Sequence, residues 1–168
     1  MGAREYRTVK RLGLAEPTHH MVRKIISGGQ TGADQGGLYA AEALGLEIGG
    51  TAPRCYRTES GPSIALLRDR FHLAEHQDYS YPPRTKCNVV DSNGTLLIGF
   101  MGSPGSRLTI KLCIENNKPY ICNPTQVEFR AWALFNNIEV LNVAGNRESS
   151  QVGICERVKT FIIGALTS

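Results

Sequence analysis

Residues 21–34 read Met21-Val22-Arg23-Lys24-Ile25-Ile26-Ser27-Gly28-Gly29-Gln30-Thr31-Gly32-Ala33-Asp34, and this stretch decides the fold. Met21 to Ile26 is rich in apolar and β-branched residues and predicts a strand. It passes directly into a glycine loop. From Asp34 to Leu44 the residues Leu38, Ala41 and Leu44 recur at helical spacing, and Gly45 is a natural stop. Leu46 to Gly50 reads as a second strand. Strand, glycine turn, helix and strand within about 30 residues make a βαβ unit.

The same alternation recurs downstream. Thr95 to Phe100 is apolar at both parities, as the centre of a parallel sheet requires, and leads into a second glycine loop, Gly102-Ser103-Pro104-Gly105-Ser106. A helix is expected over 107–117, ended by Lys118-Pro119, with a strand at Tyr120 to Cys122. Thr125 and Glu128 have capping-box spacing, and Val127, Ala131, Leu134 and Phe135 form one apolar face behind them. Ile138 to Val143 is the last strand. A third loop, Ala144 to Ser150, opens a helix with a buried stripe of Ile154, Val158, Phe161 and Ile162. Residues 51–84 are broken by Pro53, Gly61, Pro62, Pro82 and Pro83, with a helix candidate at Ser63 to Phe71 and a helical turn at Arg84 to Asp91. The reading is an α/β three-layer sandwich, its mainly parallel sheet covered by helices on both faces. Residues 1–20 are an N-terminal extension expected to be flexible, and residues 21–168 one ligand-binding domain.

The composition narrows the function classes. The chain has 168 residues, 41% hydrophobic and 20% charged, which suits a packed core and not a disordered chain. Its apolar runs fall far short of the roughly 20 residues that span a bilayer, so no membrane partner is expected. The net charge of +4 permits an anionic ligand but is no nucleic-acid footprint. Five scattered cysteines without a Cys-x-x-Cys pair point to free thiols and a cytoplasmic location.

In open α/β sheets ligands sit at the carboxyl ends of the strands, near the switch in strand order. There the glycines and polar residues collect, at Ser27 to Asp34, Gly49 to Arg54, Gly102 to Thr109 and Gly145 to Ser149. Helix amino ends behind such loops suit phosphate or carboxylate. No Gly-Lys-Ser or Gly-Lys-Thr is present, which excludes a Walker loop, and the second strand lacks the terminal acid of a dinucleotide fingerprint. Arg54, Arg57, Arg84 and Arg147 are placed to grip an anion in bidentate fashion. Asp91 and Glu148 are the candidate catalytic acids or bases, with backbone capping an equal alternative, whereas Glu59 reads as a solvated surface carboxylate. His72 and His76 read as surface histidines, and no metal site is expected.

Together, Ile25 to Asp34 (IISGGQTGAD), Arg84 to Leu96 (RT-x-x-NV-x-DSNGTL) and Leu141 to Ser149 (LNVAGNRES) resemble the putative molybdenum carrier family, over roughly residues 21–163. The resemblance implies a Rossmann-like, homo-oligomeric protein, a dimer or tetramer. It also implies storage or carriage of molybdenum cofactor as cargo, with a molybdoenzyme as recipient. The pterin's own dithiolene ligates the metal, leaving the protein to hold the phosphate. The binding residues it implies are Ser27, Gly28, Gly29, Gln30, Thr31 and Gly32, then Gly102, Ser103, Gly105, Ser106 and Thr109, with Arg54, Gly145 and Arg147. A carboxylate introduced at Gly29 is expected to fill the phosphate position and leave the fold largely intact. Two departures from relatives stand out. Pro104 removes an N–H donor from the second loop, and Asn146 replaces a frequent proline, predicting a less rigid third loop. The alternatives are a nucleotide-processing enzyme of the phosphoribohydrolase type and a nucleotide-sensing module, each with a phosphate-bearing nucleotide as ligand. The hydrolase motif's glutamate has no counterpart in Ser103 to Thr109, so binding without catalysis is the favoured expectation.

Overall fold

The computed structural model describes residues 21–168; the expected extension, residues 1–20, lies outside them. In chain order the sandwich opens with β1 (Lys24–Ile26), α1 (Ala33–Leu44) and β2 (Glu47–Gly49). A segment of short pieces follows: β3 (Thr51–Ala52), the hairpin strands β4 (Arg57–Thr58) and β5 (Gly61–Pro62), and β6 (Ala74–Glu75), which pairs with β3. Then come α2 (Tyr81–Asp91), β7 (Gly94–Ile98), α3 (Pro104–Glu115), β8 (Tyr120–Cys122), α4 (Gln126–Phe135), β9 (Val140–Gly145) and α5 (Ile154–Thr167).

The main sheet runs β2-β1-β9-β7-β8, and every pairing in it is parallel. Ile25 lies opposite Ile48 on one side and Leu141 on the other, so β1 is buried between two neighbours. Helices α1 and α4 each pack on α5, α2 packs on α3, and both groups reach β9. This is the Rossmann-like sandwich that the alternation of strands and helices predicts. Its principal core joins Val22, Ile25, Leu96, Phe129, Leu141 and Val143 to the α5 stripe Ile154, Val158 and Ile162. Phe161 is half-buried, edge-on to Phe129 with ring centroids 5.9 Å apart.

Helix α1 approaches α5 closely because of Gly36. A Cβ there would lie 2.5 Å from the Cys155 carbonyl oxygen and 2.9 Å from the Val158 Cβ. Residues 51–80, unreadable from periodicity, close a second small core of Leu38, Ala52, Tyr56, Leu67, Phe71 and Leu73. Within it the helix expected over 63–71 is Ala65–Arg70, wound to π spacing, with Phe71 N donating to Leu66 O at 3.0 Å.

Several boundaries differ from expectation, each for a local reason. Strand β7 stops at Ile98 because two asparagine side chains replace its strand neighbours. Asn123 both accepts from Gly99 N and donates to Gly99 O, at 2.8 Å each, and Asn146 does the same for Phe100. Helix α3 starts at Pro104 rather than near 107, since Ser103 caps it and proline fits a first helical position, where no N–H is required. Pro82 and Pro83 likewise open α2 instead of breaking it.

The capping box of Thr125 and Glu128 is present, but the apolar face behind it is not the packed one. Phe129 and Ala133 are buried, whereas Val127, Leu134 and Phe135 are 68%, 67% and 85% exposed. The 3.6-residue period is there; the sheet takes the opposite side of the helix. All five cysteines are free thiols, and no helix among the described residues is long and apolar enough to cross a membrane.

The α1–α5 contact sets an expected stability order. Gly36→Val overpacks it and should cost about 1–3 kcal/mol or more, against about 1 kcal/mol for Thr125→Ala, which removes only a cap. Urea unfolding of the two variants measures both, and an equal or smaller loss at Gly36 would refute the close-packing account.

Candidate functional site

The loops after β1, β7 and β9 and the first turns of α2 surround a cavity of about 460 Å³ at the carboxyl ends of the strands. It lies where the strand order reverses, β1 leading outward to β2 while β7 and β9 lie on its other side. Gly28, Gln30, Ser103, Gly105, Thr109, Gly145 and Arg147 all reach it, so the structure brings together sequence candidates from three separate loops. Arg54 is elsewhere: it is exposed, with its guanidinium 5.6 Å from the Tyr79 ring.

The first loop is tied into shape by its own side chains. Ser27 Oγ donates to Asp34 O and accepts from Gly29 N, at 3.1 and 3.2 Å. Asp34 Oδ2 accepts from Gln30 N and from Arg84 Nη1, both at 3.2 Å. Burial pushes the Asp34 carboxyl above its usual range, against the opposing pull of Arg84 and the Gln30 amide. Gln30 Oε1 accepts from Thr31 N at 3.1 Å and Glu59 N at 2.8 Å, so the amide is fixed in orientation and its Nε2 has no protein partner.

Arg84 Nε and Ser106 Oγ are also buried without partners. Of the four such atoms among the described residues these three can donate and the fourth, Gln151 Oε1, accepts; Gln30 and Ser106 are 6% and 1% exposed. In the second loop Ser103 Oγ accepts from Ser106 N at 3.3 Å and from Asn146 Nδ2 at 3.1 Å, while Thr109 Oγ1 donates to Gly105 O. Asn146, expected to loosen the third loop, does the reverse. It is buried, and its amide ties Phe100 and Ser103 of the second loop to the third.

Glu59 is likewise no solvated carboxylate. It accepts from Thr31 Oγ1 and from both the amide and the hydroxyl of Ser149, bridging the first and third loops from the β4–β5 hairpin. Beneath it the two loops touch. Gly32, at φ 87°, sits where a Cβ would enter the backbone of Asn146, Arg147 and Glu148. Desolvation raises the Glu59 carboxyl, but the hydrogen bonds from Ser149 and Thr31 outweigh it and hold the group below its ordinary value.

The two candidate catalytic carboxylates take other places. Glu148 caps α5, accepting from Gly153 N at 2.5 Å and Cys155 N at 3.0 Å. Asp91 is exposed at the far end of α2, and neither lines the cavity. Gly29 faces the small core: at φ 76°, a side chain there would meet Leu67 and Leu73. An aspartate at 29 would therefore disturb packing instead of entering the cavity, and Gly28, whose missing Cβ is covered by Arg84, is the residue that faces it.

His72 lies beyond the helix at φ 56° and His76 Nδ1 accepts from Asp78 N, so their i, i+4 spacing is not helical. Among the described residues no group of three or more His, Cys, Asp or Glu side chains is placed to hold a metal ion. Tyr81, Asn88, Asn142 and Asn146 line the cavity without having been singled out as binding residues. Asn88 and Asn142 lie inside the RT-x-x-NV and LNVAGN stretches, which was the available signal.

An all-parallel sheet with loops converging on a cavity at its switch point defines a Rossmann-like α/β protein. Residues 25–166 match the circularly permutated YpsA SLOG family, and the chain belongs to it. The crystal structure of a putative molybdenum carrier protein from Syntrophus aciditrophicus SB is similar, with a TM-score of 0.79 and 29% sequence identity. The match covers 88% of this chain and 96% of that one. No functionally curated protein matches the chain.

The Glu59 bridge has a pH signature. Because its folded pKa is depressed, its contribution is whole above the ordinary carboxylate range and is lost as pH falls through the lowered value. Glu59→Gln should speed amide exchange at pH 7 across residues 57–62 and 147–149, and wild-type protein should show the same loosening on acidification. Unchanged exchange in the variant would remove the bridging role.

Proposed function

We propose that the chain is a binding protein for a phosphorylated small ligand. The observation that carries this reading is a pair of buried donors without partners, Gln30 Nε2 and Arg84 Nε, on side chains that line one cavity. A buried donor left unpaired costs about 1–3 kcal/mol, and a phosphate supplies several acceptor oxygens at once. The surrounding chemistry fits. Arg84 and Arg147 add positive charge, Gly28 and Gly105 give close access to backbone, and α3 directs its amino end toward the cavity. The volume suits a mononucleotide-sized molecule.

Among phosphorylated ligands, molybdenum cofactor is the one we favour, as stored or carried cargo destined for a recipient molybdoenzyme. The name borne by the similar Syntrophus protein supports it. The cofactor's dithiolene would hold the molybdenum, and this chain's part is to grip the phosphate and shelter the ring system. Gln30 and Arg84 would take the phosphate, and Asn142 would supply a polar contact to the rest. Nothing in the placement of Asp91 or Glu148 favours hydrolysis.

We also propose that the protein assembles with a second copy of itself. Val127, Ala131, Leu134 and Phe135 form an exposed apolar row on α4, the helix that follows edge strand β8, and contiguous apolar surface of this kind marks an interface.

Denaturing freshly purified protein and analysing the released small molecules by mass spectrometry and pterin fluorescence should yield a pterin phosphate; a nucleotide would overturn the cargo assignment. Gln30→Glu keeps the acceptor for Thr31 and Glu59 but replaces the orphaned donor with a negative oxygen, so inorganic phosphate affinity should fall at least about tenfold. Unaltered affinity would place the phosphate elsewhere. Leu134→Glu should lower the mass measured by light scattering to that of one chain, and an unchanged mass would exclude this face.

A further inference from the structure

We propose that Tyr81, Arg57 and Arg147 form a second anion subsite at the mouth of the cavity, so that the ligand carries two adjoining oxyanions. The inference rests on the phosphate reading above and adds the ligand's charge. Arg57 from β4, Arg84 from α2 and Arg147 from the loop after β9 bring their guanidinium carbons to 4.8, 5.4 and 5.0 Å from the Tyr81 ring centroid. Three chain segments distant in sequence thus crowd three like charges around one ring. The ring attracts each guanidinium through its quadrupole but brings no net charge.

Of these three arginines, only Arg84 has a carboxylate of a described residue at ion-pair distance, Asp34 at 3.2 Å. Glu59 lies in the field of Arg147, yet its oxygens are engaged by Thr31 and Ser149, so neither Arg57 nor Arg147 is paired. Arg57 is held in position by donating Nη1 to Tyr79 O at 3.2 Å, which leaves the rest of its fork free. Arg84 belongs to both positions. Its Nη1 faces Asp34 inside and its Nε is one of the orphaned donors, while its guanidinium also borders Tyr81. The inner and outer subsites are therefore contiguous, as two anionic groups on one ligand would be.

A planar guanidinium with several free N–H groups suits an oxyanion held in bidentate fashion. The second oxyanion can be the next phosphate of a diphosphate ester, or the oxo-metal end of a phosphorylated pterin dithiolene. Both present the same chemistry to Arg57 and Arg147.

Calorimetry with the full chain at constant ionic strength tests the proposal, using inorganic phosphate and pyrophosphate as probes. Wild-type protein should bind pyrophosphate at least about tenfold tighter than phosphate. The Arg57→Gln/Arg147→Gln variant should bring that ratio close to one. An Arg23→Gln/Arg157→Gln variant, with equal charge removed from distant surface, should keep it. A wild-type ratio near one, or a ratio that survives in the Arg57/Arg147 variant, overturns the second subsite. If phosphate binding in that case still depends on Gln30, the single-phosphate reading stands without it. Failure of both probes to bind wild-type protein overturns the two readings together. Two further titrations identify the source: preference for ADP over AMP points to a second phosphate, and molybdate uptake by phosphate-saturated protein points to an oxo-metal group. Either must be lost in the Arg57/Arg147 variant, and persistence there counts against the subsite.

Discussion

The buried carboxylate of Asp34 is the point on which the site depends. It closes the first loop through the Gln30 amide and fastens α2 to that loop through Arg84. A charge in this position is stable only while its partners remain, and breaking such a pair typically costs about 3–5 kcal/mol. The arginine it holds then lies across Gly28, where any Cβ would collide with the guanidinium. Glycine at 28 is thus required by a side chain and not by its own backbone angle, whereas Gly29 and Gly32 answer to positive φ as well as to space. One ion pair links a loop, a helix, a glycine and an orphaned Arg84 Nε.

Much of this was legible in the sequence because local rules and tertiary needs agreed. The βαβ unit, β8 and the capping box of α4 follow from periodicity, glycine stops and capping chemistry, which act over a few residues. The loops around the cavity were legible as glycine and polar clusters. Other features depend on partners far away in the chain. The apolar row of α4 obeys the helical period, but periodicity cannot tell which side meets the sheet, and here Phe129 and Ala133 do. Glu59 lies in a stretch without periodicity, and its partner Ser149 is ninety positions away. Gly29 and Gly28 are adjacent letters that face opposite directions.

The asparagines teach a related lesson. A proline would stiffen the third loop by restricting its own φ; Asn146 achieves order by another route, using its amide as a substitute strand neighbour for Phe100 and a brace for Ser103. Asn123 performs the same service for Gly99 from the opposite side. The end of β7 is therefore held from both flanks by side chains, and the second loop departs from a fixed point.

The strand order carries a consequence for how the chain acquires this form. Strand β9 lies between β1 and β7, so the first pair, β1–β2, and the later pair, β7–β8, have no backbone contact until residues 140–145 arrive between them. During synthesis each half-sheet must wait with an unpaired inner edge, a state open to wrong pairing. Of the strands in this sheet β9 is made last, and it turns two fragments into a continuous layer and gives the cavity its third wall. Completion is therefore late and cooperative, and a chain truncated before β9 would have neither a whole sheet nor a site.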